Sequence, residues 1–446
     1  MHYPMQTPLL PLSLALALTV ASTFAATVPD RDGAVRKDKA TMENDARWIY
    51  NDYEKGFAEA NRTGKPLLVV LRCVPCLNCM GLDTSVLTDQ DLVPLLDQFV
   101  CVRVMNANAL DLALFQFDYD LSFSTLFFNS DGTVYGRFGS WTHQANEKDK
   151  DTASYKQALE AALAIHKGYP ANKTSLAGKQ GVPTQYKRPI DMPSLAGKFP
   201  LGLEWSAPNV VTSCVHCHQL GNGYLTSYRE KLEPVPSNLI YPFPAPQTIG
   251  LSLAADQIAK VEAVAEKSPA AAAGLQVGDS IVSLAGQPLV SIADASWVLN
   301  RAPDAGAIAA VIERNGTRRS LTITLPADWR RNTDVTKRAS IWPMRGMALG
   351  GLTLEDLPDA ERAKRGIANG EMALLVKAAG QAGLHAAARN AGFQKDDIIV
   401  KIADKTARFT EGDLIGELLQ HHPKGERVRT TVLRGTQRLD LMLPMQ

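Results

Sequence analysis

Three of the six cysteines in the 446-residue chain, Cys73, Cys76 and Cys79, fall within seven positions. They follow the apolar run 67–71, which is short and preceded by Gly-Lys-Pro, and such a run predicts a buried strand. Apolar residues after Cys79 recur at helical spacing, so the cysteines stand where a strand passes into a helix. A thiol at a helix N-terminus faces unpaired N–H groups and the positive end of the helix dipole, which lower its pKa. The pattern predicts a redox pair in which Cys76 attacks a disulfide and Cys79 resolves the mixed disulfide.

Two other interpretations of the same cysteines remain open. They could form a structural disulfide, for example with Cys101, or bind a metal. Cys-x2-Cys-x2-Cys matches the start of a ferredoxin-type cluster motif, but the fourth ligand position is Asp83. We therefore predict no metal site here. Cys101 lies in the run 99–104, a predicted strand, where a buried cysteine packs as a small apolar side chain.

The surrounding sequence, from Trp48 to about Tyr169, resembles a thioredoxin-like domain of the thioredoxin-7 type. The resemblance implies an α/β thioredoxin fold, with Cys76 and Cys79 as the exchanging pair and Cys73 as an extra thiol at the site. Two positions depart from the family pattern: Pro75 replaces an aromatic residue, and Ser124 replaces the cis-proline that faces the disulfide. A cis bond without proline costs about 2.5–4 kcal/mol, so the bond at Ser124 is expected to be trans or strained. The residues that carry the resemblance are 57–60, 64–66, 76–79, 86–89 and 125–132.

A second motif, Cys214-x-x-Cys217-His218, has the attachment signature of c-type haem. In that chemistry the two cysteines form thioethers and the histidine ligates the iron. The stretch 220–246 that follows contains no methionine to serve as a distal ligand. A disulfide that fixes a loop and a small Cys/His metal site remain open alternatives. The motif lies in 170–246, which is predicted to be an irregular connector between domains.

Two C-terminal stretches resemble PDZ domains of the bacterial, protease-associated type. The first carries Ser-Pro-Ala-Ala-x-Ala-Gly-Leu-x-x-Gly-Asp at 268–279, and a related pattern recurs at 387–397. The resemblance implies two part-open β-barrels with short helices, at 247–327 and 345–446. Hairpin turns are predicted at Asn315-Gly316 and Arg434-Gly435, and helices at 292–300 and 411–420.

Each PDZ groove is expected to take a protein C-terminus or an extended segment as an added strand. The alternative is that one or both grooves are empty spacers or contacts between domains. The predicted peptide-binding residues are Ile249, Gly250, Leu251 and Leu253 in the first module, and Gly351, Leu352 and Leu354 in the second.

Residues 1–25 have the apolar core and small-residue end of a signal peptide, which predicts a periplasmic or secreted protein. An uncleaved anchor at 9–25 is the alternative, and no membrane span is expected in the mature chain. Residues 27–44 are polar and predicted to be a flexible lead-in. The net charge of +1 gives no indication of a nucleic-acid partner.

The sequence therefore predicts an exported multidomain protein, α/β in the thioredoxin-like part, 45–169, and mainly β beyond it. We expect a thiol-disulfide oxidoreductase that docks protein or peptide partners through two PDZ domains. One rival is a non-catalytic PDZ adaptor with a degenerate thioredoxin fold, and another is a c-type haem electron-transfer protein. Protease activity is disfavoured because the chain has no Gly-x-Ser-x-Gly element.

Overall fold

The computed structural model describes residues 30–72, 87, 89–121, 123–139 and 152–446. Contacts divide the chain after Asp30, and the fold below is that of the unit from Arg31 to Gln446. Within the described ranges, no helix has both the length and the apolar character needed to cross a bilayer. The predicted signal peptide, 1–25, and the alternative anchor, 9–25, lie outside the described residues.

A five-stranded sheet forms the centre of the thioredoxin-like part, in the order β1-β3-β2-β4-β5. Strands β1 and β2 run parallel to β3, whereas β4 runs antiparallel to β2 and β5. All residues of β2 to β5 are buried, which confirms the strands predicted at 67–71 and 99–104. The strands are β1 Trp48–Tyr50, β2 Leu67–Arg72, β3 Val100–Val104, β4 Phe123–Phe128 and β5 Val134–Phe138; the helices are α1 Arg31–Met42, α2 Tyr53–Thr63, α3 Val93–Leu96 and α4 Thr152–Lys167.

The prediction of a flexible lead-in at 27–44 is wrong for most of that stretch, because α1 occupies Arg31–Met42. The helix has almost no apolar face, which is why its sequence resembles a linker. Polar contacts with the connector hold it instead. Arg36 donates hydrogen bonds to the carbonyls of Trp205 and Ala207, at 2.9 and 2.6 Å. Val35 is its one fully buried side chain.

The connector between the sheet and the C-terminal units is irregular only in its first part. Short 3₁₀ turns dominate up to about residue 213. Two helices then follow, α5 Cys217–Glu230 and α6 Ser237–Ile240. Helix α5 was not predicted, and the description of 170–246 as irregular is wrong there. Leu220 and Leu225 fix its buried face.

The first PDZ-like unit contains a two-stranded sheet, β6-β7, and a three-stranded sheet in the order β10-β9-β8. The predicted turn at Asn315-Gly316 is confirmed, since β9 and β10 pair around it. The predicted helix at 292–300 is confirmed as α8. The elements are β6 Leu251–Leu253, β7 Val261–Val264, α7 Pro269–Ala272, β8 Ser280–Leu284, α8 Ile292–Arg301, β9 Gly306–Arg314 and β10 Thr317–Leu325.

The second unit repeats this order of elements in one open sheet, β11-β12-β13-β14-β15. A shared detail supports the repetition: Arg314 and Arg434 each make two hydrogen bonds to an aspartate, Asp279 and Asp397, at 2.6–2.8 Å. Helix α9 precedes the unit and packs against it. The elements are α9 Ile341–Leu349, β11 Leu352–Asp356, α10 Asp359–Lys364, β12 Leu374–Ala379, α11 Ala387–Asn390, β13 Ile398–Ile402, α12 Glu411–His421, β14 Arg427–Arg434 and β15 Gln437–Pro444.

Candidate functional site

The first cysteine motif begins where β2 ends. Cys73, Cys76 and Cys79 lie outside the described residues. Strand β2 brings the chain to Arg72, which pairs with Phe123 of β4, and Leu71 pairs with Ser124. Arg72 is thus the last residue described before the motif, and it ends β2.

Ser124 occupies the predicted cis-proline position at the same end of the sheet. Ser124 is buried, with 3% of its surface exposed. Its Oγ has no hydrogen-bond partner within the described part of the chain. In that part the one cis peptide bond is Tyr169–Pro170, so the bond preceding Ser124 is trans. The backbone at Ser124, which lies in β4, therefore differs from the cis geometry of the family.

A cleft of about 350 Å³ opens beside Ser124. Ser124, Phe138 and Gly139 line it from the thioredoxin-like sheet. Thr248 and Ser296 line it from the first PDZ-like unit. The cleft thus lies between helix α8 and one end of the sheet, the end from which the chain continues into the cysteine motif.

Helix α8 is fixed against the thioredoxin-like part by a buried polar interface. Lys179 Nζ and Asp294 Oδ2 are 2.6 Å apart, and both side chains are fully buried. Asp294 also accepts N–H bonds from Arg137 and Val290, at 3.1 and 2.8 Å. The guanidinium carbon of Arg137 lies 3.7 Å from the centre of the Trp297 ring. Residues 292–299 are all buried, since the unit's own core covers one face of α8 and the sheet covers the other.

The second cysteine motif packs against the same end of the sheet. The N–H of Val215 donates to Asn108 Oδ1 at 2.7 Å, and the Val215 carbonyl accepts from Ala107 N–H at 3.1 Å. A crevice of about 10 Å³ is lined by Arg72, His216 and Cys217 among others. The structure thereby brings Cys214 and Cys217 to the strand end from which Cys73 follows, a proximity that no sequence pattern indicated.

The residues around Cys214, Cys217 and His218 do not fit a haem. The crevice of about 10 Å³ is far smaller than the roughly 300 Å³ or more that ligand pockets provide. Cys214 is buried. Burial also raises the pKa of the neighbouring Cys217 thiol to about 12. His218 is exposed, and its ring stacks on that of His216 with centroids 5.6 Å apart. An absorption spectrum near the Soret band tests the haem prediction directly.

Cys101 is a core residue, as predicted. It lies in β3 with 1% of its surface exposed, and its thiol donates to the Leu96 carbonyl at 3.5 Å. Burial raises its pKa to about 12, so the reactive thiolate is strongly disfavoured at neutral pH.

In the first PDZ-like unit, the predicted peptide-binding residues divide into core side chains and a turn. Ile249, Leu251 and Leu253 are buried in the core of the unit. Gly250 has a φ of 77°, which favours glycine, and its N–H donates to the Gln247 carbonyl at 2.9 Å. The Gly250 N–H therefore already has an acceptor within the chain.

The predicted groove residues of the second unit are also either buried or already hydrogen-bonded within the chain. Leu352 and Leu354 are buried in its core, and Gly351 N–H donates to the Arg345 carbonyl at 2.9 Å. Leu354 N–H donates to Glu411 Oε1 at 2.8 Å. Arg345 and Glu411 were not predicted, because residues 66 positions apart carry no local sequence signal of their pairing.

Comparison with known proteins matches two parts of the chain to families. A thioredoxin-like family model matches residues 48–130, and a PDZ domain model matches residues 260–323. The chain therefore contains a thioredoxin-like domain and a PDZ domain, as predicted. The second PDZ assignment rests on its PDZ-like fold.

Among curated proteins, the chain is similar to probable periplasmic serine endoproteases described as DegP-like. One from Pseudomonas savastanoi pv. phaseolicola is 30% identical over 176 residues, 40% of this chain and 35% of that protein. One from Pseudomonas putida is 44% identical over 69 residues, 16% of this chain and 14% of that protein. The match to the first relative thus spans about a third of that protein's length.

Among solved structures, the serine endoprotease from Yersinia pestis is 26% identical to the matched part, with a TM-score of 0.15. That match covers 17% of this chain and 27% of the other. The HtrA-type protease AlgW with tripeptide is 14% identical, with a TM-score of 0.18. That match covers 30% of this chain and 47% of the other.

Proposed function

We propose that the chain is an exported thiol-disulfide oxidoreductase that docks its protein substrates through its first PDZ domain. One observation carries the proposal: the cleft of about 350 Å³ is shared by the end of the sheet that leads into Cys73 and by helix α8 of the PDZ domain. A segment held along the PDZ domain would enter the cleft beside Ser124. The periplasmic relatives support an exported location, where cysteine pairs oxidise and exchange.

The chemistry proposed is reversible thiol-disulfide exchange. The Cys76 thiolate attacks one sulfur of a substrate disulfide, a mixed disulfide forms, and the other substrate sulfur leaves as a thiolate. Cys79 then attacks Cys76 Sγ, which releases the second substrate thiolate and leaves a Cys76–Cys79 disulfide. An external dithiol returns that disulfide to the reduced state. In the opposite direction the same steps oxidise a substrate dithiol.

Docking increases the rate of such exchange without a tight active site. A second contact on one rigid body makes the reaction effectively intramolecular, at local concentrations of the order of millimolar. The buried Lys179–Asp294 pair and the Arg137–Trp297 contact supply that rigidity. We therefore expect long substrates that span the cleft and the PDZ domain to react faster than short ones.

Reduction of a peptide with one internal disulfide, followed with dithiothreitol as the external dithiol, tests the proposal. The wild-type protein should accelerate the reaction, and Cys76→Ser should reduce the rate to background. Cys101→Ser is the matched control, since Cys101 is buried in β3 and should not contribute. Equal rates for wild type and Cys76→Ser would remove the enzymatic function.

A non-catalytic PDZ adaptor is the second candidate, and the trans bond at Ser124 favours it. The family uses the cis-proline loop to hold substrate backbone beside the disulfide, and that geometry is absent at Ser124 in this chain. An adaptor would bind unfolded polypeptide with equal affinity in wild type and Cys76→Ser, and neither protein would accelerate disulfide reduction.

A further inference from the structure

Helix α9 closes one side of the second PDZ-like unit. It packs against both β11 and α12, the strand and the helix between which a PDZ domain binds its peptide. Met344 and Leu349 of α9 share a core with Leu352 of β11 and Leu414 of α12. The space between strand and helix is thus already occupied at one end by the chain itself.

An ion pair joins α9 to the first residue of α12. Arg345 Nε and Nη2 donate to the two carboxylate oxygens of Glu411, at 2.9 and 2.6 Å. The Glu411 side chain is 4% exposed and that of Arg345 is 16% exposed. Two charge-assisted bonds in this forked geometry form the strongest kind of side-chain contact.

Glu411 also takes the place of a peptide backbone. Strand β11 is the edge strand of its sheet, so its outward N–H groups are those that an added strand would use. Leu354 N–H donates to Glu411 Oε1 at 2.8 Å, as it would to the carbonyl of a bound peptide. In the first PDZ domain, the first residue of α8 is Ile292, which has no carboxylate to do the same.

We propose that the second groove is closed by Glu411 and opens to a ligand that carries a carboxylate. Once Glu411 leaves, Arg345 remains as a half-buried cation without its carboxylate partner and Leu354 N–H as an unpaired donor. A ligand must satisfy both, with a carboxylate at Arg345 and a backbone carbonyl at Leu354. A polypeptide C-terminus supplies both groups. Only the choice of ligand rests on the proposed PDZ function. The closure by Glu411 depends on contacts within the second unit alone.

The segment before α9 anchors it to the thioredoxin-like part. Arg338 is buried and bonds Asp120 Oδ2 at 2.9 Å and Asp118 Oδ1 at 2.5 Å. Ser340 Oγ donates to Asp120 Oδ2 at 2.7 Å. Helix α9 begins at the next residue, so the thioredoxin-like part holds the start of the helix and Glu411 holds its middle, at Arg345.

Hydrogen exchange of the Leu354 amide in the full chain tests the closure. Glu411→Ala should increase its exchange rate by about tenfold or more, because a buried charge-assisted bond is lost. Glu355→Ala removes an exposed carboxylate from the same strand and should leave the rate unchanged. Glu411→Gln keeps an oxygen acceptor and should give an intermediate rate, which also controls for loss of folding. Wild-type protection of Leu354 in both Glu411 variants would overturn the closure.

Two fluorescein-labelled hexapeptides ending in valine, one with a free C-terminal carboxylate and one amidated, test the ligand. Fluorescence anisotropy should show that the free peptide binds Glu411→Ala about tenfold more tightly than it binds wild type. The amidated peptide should show no gain. Faster exchange without a gain for the free peptide would overturn the ligand class. Neither readout depends on the thiols or on the first PDZ domain, so failure here is distinct from failure of the proposed oxidoreductase.

Discussion

The Lys179–Asp294 pair gives the sharpest test of how the first PDZ domain is fixed to the rest of the chain, because Lys179 belongs to the connector and Asp294 to α8. Both side chains are fully buried, and their charged atoms are 2.6 Å apart. At an effective dielectric constant of about 20, the attraction is about 6 kcal/mol. Desolvation of the two ions offsets much of it, so the pair contributes little net stability. Removing one partner is different, because the other charge stays buried without its counter-ion.

Lys179→Met should therefore lower the free energy of unfolding of the protein by about 3–5 kcal/mol. The double variant Lys179→Met/Asp294→Leu should recover part of this loss, because it leaves no buried charge. Chemical denaturation, monitored by tryptophan fluorescence, measures both. The Trp297 indole N–H donates to the Gly178 carbonyl at 2.8 Å and should report the interface. A loss below about 1 kcal/mol for Lys179→Met, or no recovery in the double variant, would refute this reasoning.

Two further predictions concern packing and pH. Gly136→Ala should destabilise the protein by about 1–3 kcal/mol, because a Cβ there would lie 2.6 Å from Val290 Cγ2. Gly221→Ala is the control, since a Cβ there meets nothing within 4 Å and should be neutral or stabilising. Thermal denaturation measures both variants. The hydrogen bond from Arg314 lowers the pKa of Asp279, so its contribution to stability is complete above about pH 4 and is lost as the pH falls further. Denaturation of wild type and Asp279→Asn at pH 7 and pH 3 should show a smaller pH-dependent loss in the variant, and equal losses would contradict the assignment.

Much of the fold follows from local signals in the sequence. The branched run at β2, the Asn315-Gly316 turn and the pattern at 268–279 each encode their element within a few residues, and all three predictions are confirmed. Helix α1 was missed because its stabilising contacts lie in the connector, about 170 residues away. Helix α5 was not predicted because the connector as a whole, rich in Pro and Gly, was predicted to be irregular.

The candidate site was predictable in its residue types but not in its geometry. The resemblance implied that Ser124 takes the cis-proline position, and β4 pairs it with Leu71 at the strand end that precedes the cysteine motif. The crevice lined by Cys217 and Arg72, the cleft shared with α8 and the Arg345–Glu411 pair all depend on contacts between residues far apart in the chain. Such contacts are set by tertiary packing, which no periodicity or spacing within one element records.

The most direct test of the central claim is the pKa of the Cys76 thiol, measured from the pH dependence of its alkylation by iodoacetamide and followed by mass spectrometry of the Cys76 peptide. The account predicts a pKa well below the usual value of about 8.5, because the N–H groups of the helix predicted after the motif would stabilise the thiolate. A pKa at or above about 8.5, or a thiol that does not react until the protein unfolds, would contradict it.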